Sequence, residues 1–117
     1  MVEIVKASRE FTKVETYLMT IAPGITSLKD VLDGTSIDVA GILEFNDIKD
    51  TTGEIAEIIS IITPDNKVYS AQSKTVKRSI HDIENIMDGE QFSVIKTSGL
   101  SKAGRTFINI ELDTTKL

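Results

Sequence analysis

Two pairs of residues at period-two spacing carry the first chemical signal in this chain. Lys67 and Tyr69 share a face of one extended segment, and Arg105 and Phe107 share a face of another. A cation beside a flat ring suits an unpaired nucleic-acid strand, whose phosphates need charge and whose bases need a stacking surface. Between the pairs lies Ser73-Lys74-Thr75-Val76-Lys77-Arg78-Ser79, three cations among small hydroxyl residues. The second pair ends a loop, Ser98 to Arg105, that holds two glycines, two serines, Lys102 and Arg105. Such a loop suits close backbone approach to phosphates. The candidate binding set is therefore Lys67, Tyr69, Lys74, Lys77, Arg78, Lys102, Arg105 and Phe107. Each feature has a plainer reading. The Lys74–Arg78 stretch reads also as a solvated helix entry, and the glycine loop as an ordinary hairpin. Phe107 falls out of register with the core stripe of its strand, so it either meets a ligand or packs under an N-terminal helix.

Catalytic chemistry finds little support. The single histidine, His81, follows Ser79-Ile80 at a helix start, and no nucleophile and carboxylate bracket it as a triad requires. No nucleophile elbow, phosphate-binding P-loop or dinucleotide fingerprint occurs. Asp47 and Asp50 lack calcium-loop ligand order and read as turn residues, and Asp30 and Asp33 read as surface helix charges. With no cysteine and one histidine, thiolate and multi-histidine metal sites are excluded. No cofactor is expected. No apolar run reaches the roughly 18 residues of a membrane span, and the N-terminus lacks the pattern of a secretion signal. The expectation is a soluble, cytoplasmic chain without a membrane partner.

The formal charge of −5 hides a split. Residues 1–66 carry five basic and twelve acidic groups, whereas residues 67–105 carry seven basic and four acidic. Local placement of charge decides whether a polyanion binds, so the acidic total does not exclude one. Seventeen isoleucines against six aromatic residues favour a sheet, since β-branched side chains fit a pleated surface.

These groups must be positioned by the surrounding elements. Residues 1–7 read as a short strand or extended arm. A helix capped by Ser8 is expected next, because Phe11, Val14, Leu18 and Ile21 recur at helical spacing until Pro23-Gly24. Ser27 and Asp30 signal a short helical turn before Gly34. From Thr35 the period changes to two and predicts a long strand with Gly41 at a bend. Residues 54–63 and 67–73 predict a hairpin around Pro64-Asp65-Asn66-Lys67. A helix follows, capped by Ser79 with Asp82 or beginning a turn earlier near Thr75, with Ile80, Ile83 and Met87 as its apolar stripe and Gly89 as its stop. Residues 91–97 and 105–112 complete five strands. Phe45 and Phe92 are expected in the core. A helix between the third and fourth of five strands is the order of the oligonucleotide-binding (OB) fold, a partly open Greek-key barrel. The fold class expected is mainly β, a five-stranded OB barrel, with a small α+β sheet of another strand order as the alternative that gives the same element string. Residues 1–34 form an N-terminal helical extension packed on the barrel, and residues 35–117 the OB domain.

The stretches IVKASREFTKVETYLM, AQSKTVKRSIHDI and KTSGLSKAGRTFINIEL resemble small single-stranded-DNA-binding proteins of bacteriophages and mobile elements of Gram-positive bacteria. The resemblance implies an OB fold, sequence-independent binding of single-stranded DNA and protection of replication intermediates in a bacterial host cell. The chain ends ELDTTKL, without the acidic, aromatic-tipped tail of cellular bacterial single-strand-binding proteins. A runner-up comes from another class: a protein–protein interaction module, such as a phage inhibitor of a host factor, or a surface for self-association. The position of the N-terminal helix decides whether the binding face is open.

Overall fold

The computed structural model describes residues 1–116. Val2–Ala7 forms β1 and pairs antiparallel with the strand that follows Gly41. The helix α1 spans Lys13–Thr20 and starts at Thr12, not at Ser8. The reason is a capping box: Thr12 Oγ1 accepts from Glu15 N at 3.1 Å while Glu15 Oε1 accepts from Thr12 N at 3.0 Å. Ser8 is used elsewhere, its Oγ accepting from Ile42 N at 2.9 Å. The signal at Ser27 yields one 3₁₀ turn, Leu28–Asp30, after a two-residue strand β2, Thr26–Ser27.

The long strand predicted from Thr35 is divided at Ala40 into β3 (Ser36–Val39) and β4 (Gly41–Ile48), which lie in different sheets. The hairpin β5 (Ile55–Ile62) and β6 (Val68–Ala71) follows, then α2 (Lys74–Met87), β7 (Phe92–Leu100) and β8 (Thr106–Leu112). One sheet has the order β1-β4-β5-β6-β2 and the other the order β3-β7-β8. The protein is thus mainly β, and where one long strand was expected from Thr35 two strands precede the β5–β6 hairpin.

The expected barrel closure is not seen. Thr26 and Ser27 pair parallel with Tyr69 and Ser70 and take up the edge of β6. β8 pairs only with β7 among the described residues, so an open seam lies between β8 and the edge of β6 that β2 occupies. Residues 1–34 supply two sheet strands as well as α1.

Two apolar clusters hold this arrangement. Between the sheets and α2 lie Ile37, Ile42, Ile61, Val76, Ile80, Val94 and Ile110, with Phe92 packed against them. On the opposite face of the larger sheet, Met19 of α1 packs with Leu43, Phe45, Ile62 and Val68. Ser60 Oγ donates to Met19 O at 2.7 Å and pins α1 to that face. Gly41 is needed there for close approach: a Cβ would stand 2.5 Å from Cε1 of Phe11, whose ring also lies under the Arg9 guanidinium.

Candidate nucleic-acid interface

The β7–β8 hairpin presents Phe107 on the sheet face turned away from the core. Alternation sends Ile110 into the core and leaves Phe107 38% exposed. The ring is neither free nor under α1. It lies on Gly99, its ladder partner, where a Cβ would stand 2.6 Å from Cζ. Glycine at 99 therefore gives the ring a flat seat.

Beside the ring, the seam forms a groove of about 460 Å³. Phe107 and Ile108 make one wall, and Ser27, Lys29, Gln72 and Ser73 the other. Ser73 is the cap of α2, its Oγ accepting from Val76 N at 3.2 Å. This cap starts the helix before Ser79, so the hydroxyl of Ser79 is free to donate to Asn109 Oδ1 at 2.6 Å. The link ties α2 to β8. The first turn of α2 carries no carboxylate, and its first residue is Lys74.

Ion pairing sorts the predicted cations. Lys74, Arg78, Lys102 and Arg105 make no ion pair among the described residues. Lys77 is committed to the buried Glu44, 3.4 Å away, which His81 Nε2 also meets at 2.7 Å. The single histidine therefore serves a buried carboxylate on β4. Lys67 is exposed and lies 3.8 Å from Asp65, a weak surface pair. Tyr69 is half-buried and lines a second pocket, of about 530 Å³, with Lys67, Tyr17 and Leu18. Lys67 and Tyr69 thus stand together as their spacing required, but in a different pocket from Phe107.

One basic residue of the positive stretch is structural. Lys96 is buried, and its Nζ donates to Val31 O at 2.8 Å and Asp33 Oδ1 at 2.9 Å. Its hydrogen bond, and then that of Ser98, holds the Asp33 carboxyl below its ordinary range. Asp33 is therefore an anchor for the turn ahead of β3 and not an idle surface charge.

Two groups at these pockets escaped the sequence reading. Lys29 lines the Phe107 groove because β2 carries the following turn to the edge of β6; an isolated lysine in an acidic segment gives no sign of this. Tyr17 is 49% exposed and belongs to the second pocket, while the helical stripe around it pointed to Leu18 and Ile21. Ile21 is in fact 63% exposed.

Among the described residues, no helix is long and apolar enough to cross a membrane. A family model described as Phage Single-stranded DNA-binding protein matches residues 2–113. The chain is 32% identical over 94 residues to a single-stranded DNA-binding protein of Bacillus phage PZA, covering 76% of each chain. The same identity and coverage hold for the protein of that name from Bacillus phage phi29. A third, from Bacillus phage B103, is 30% identical over 120 residues, covering 96% of this chain and 98% of the relative. No solved structure gives a significant match.

Proposed function

The chain belongs to the phage single-stranded DNA-binding protein family, and on that premise we propose that it binds single-stranded DNA without sequence preference and shields strands exposed during phage replication in the bacterial host. The observation that carries this reading onto particular residues is an exposed ring beside a groove whose lining residues adjoin two unpaired cations in the chain. Lys74 follows Ser73 and Arg105 precedes Thr106, and both neighbours line the groove that holds Phe107. Phosphates would meet Lys74, Arg78, Lys102 and Arg105, and bases would stack on Phe107. Lys67 and Tyr69 form a second station of the same chemistry. Lys77 contributes less, because Glu44 already holds it. The work is binding, and no catalytic step is invoked.

The fold is best understood as an OB type opened at one seam. Counted with β3 and β4 as one strand interrupted at Ala40, the elements after residue 35 run strand-strand-strand-helix-strand-strand, and this order and the pairing of β3 with β7 support the reading. In this view β2 occupies the edge of β6 where β8 would otherwise close the barrel.

Fluorescence anisotropy with labelled oligo-dT and a duplex of equal length tests the function. The single strand should bind more tightly, with affinity falling steeply from low to moderate salt as counterions are released. Binding that ignores salt, or none at micromolar protein in low salt, would remove the nucleic-acid reading in favour of a protein-interaction module.

A further inference from the structure

Resting on that reading, we propose that the seam between β6 and β8 seats a single nucleotide unit, its base stacked on Phe107 and its phosphate held by Lys29. The groove mixes two kinds of surface. Phe107, Ile108 and Ala71 are apolar, whereas Ser27, Lys29 and Ser73 across from the ring, and Thr106 beside it, are polar. A nucleotide has the same division between a flat base and a charged phosphate. The volume of about 460 Å³ lies within the roughly 300–1,000 Å³ of ligand pockets.

Charge selects the occupant. No carboxylate lines the groove, and its one charged residue is Lys29. Lys29 is exposed and makes no ion pair among the described residues. An unpaired cation opposite an exposed ring favours an anion that carries an aromatic group. The open edge of β8 creates the space: had β8 paired with β6, the groove would be filled by backbone. The parallel pairing of β2 with β6 sets Lys29 on the far wall. The seam that keeps the barrel open is thereby given a use.

The test is anisotropy with oligo-dT across a salt series for the unaltered protein, Lys29→Gln and Lys13→Gln. The Lys13 variant makes the same charge change at the start of α1, away from the groove. Lys29→Gln should lower the salt slope by about 0.7, one single-strand phosphate contact, and so weaken binding about fivefold at 0.1 M relative to 1 M salt. Lys13→Gln should leave the slope unchanged. An unchanged Lys29→Gln slope, or equal changes in both variants, would overturn the seam site while leaving single-strand binding intact. Absence of binding by the unaltered protein would remove the site together with the reading it rests on. In a Phe107→Leu background the Lys29→Gln effect should shrink, since an unseated base no longer delivers its phosphate. Full additivity would place the two residues on different nucleotides and overturn the shared subsite.

Discussion

The ring of Phe107 in β8 occupies the space that any side chain on Gly99, its ladder partner in β7, would need. An aromatic group seated on glycine presents a broad face without being drawn into the core. If that face stacks a base, Phe107→Ala should cost roughly 1–3 kcal/mol of affinity for single-stranded DNA. Stability should change little, because a fully buried phenylalanine would cost about 3–5 kcal/mol and this one is exposed. Melting temperature and oligo-dT affinity on one preparation separate the two roles. A large loss of stability with unchanged affinity per folded molecule would remove Phe107 from the site.

Lys96 should behave in the opposite way. Lys96→Ala leaves Val31 O without its buried donor and deprives Asp33 of its partner. A buried group left unsatisfied costs about 1–3 kcal/mol. Urea unfolding should show that loss, while the salt slope of binding by the folded fraction stays that of the unaltered protein. A shallower slope would show that Lys96 reaches the strand after all.

The contrast between Phe107 and Lys96 shows what the sequence made legible. Period-two alternation identified the face of Phe107, because its core-facing neighbours Ile108 and Ile110 are unambiguous. Alternation also places Lys96 on the core side of β7, opposite Ile110, but charge alone suggested solvent. Only the return of Val31 and Asp33 over that strand explains its burial, and such a contact across 63 residues leaves no local trace. The mainly β character and the β5–β6 hairpin were readable from period and turn chemistry, whereas the division of the first long strand at Ala40 was not. Nor was the open seam, because a two-residue strand such as β2 has too few positions to show a period. Helix starts were less sharply marked, because several hydroxyl residues offered caps. The local box with Glu15 starts α1 at Thr12 while Ser8 is taken by Ile42 N, and α2 starts at Ser73, about a turn and a half before Ser79.

Gly41 gives a third test. The bend was expected from sequence, but the constraint observed is close packing: a Cβ at position 41 would lie 2.5 Å from Phe11 Cε1. Gly41→Val should therefore destabilise by about 1–3 kcal/mol, as overpacking does. Pairing it with Phe11→Ala should recover part of the loss, since the obstructing ring is gone. Additive losses in the double variant, measured by thermal melting, would place the constraint in the backbone.

Acid should loosen the capping of α1. Hydrogen bonds from the Arg9 side chain first, and from the Thr12 backbone next, lower the Glu15 carboxyl from 4.5 to about 2. A carboxyl whose value is lower in the folded chain adds stability above its unfolded value and loses it as pH falls through the folded one. The Glu15 contribution is thus present above pH 4.5 and fades between 4.5 and about 2. Glu15→Gln keeps an acceptor for Thr12 N but ends the charge pair with Arg9, whose Nη2 lies 2.8 Å from Glu15 Oε2. Asp33, Asp38, Asp65 and Asp113 are also held low and add acid sensitivity, while burial raises Glu84 and opposes it. Those groups are common to both proteins and cancel in the comparison. The unaltered protein should melt higher at pH 7, and the gap to Glu15→Gln should narrow below pH 4.5 and close near pH 2. A gap that persists unchanged to pH 2 would show that the carboxylate charge is not what secures the start of α1.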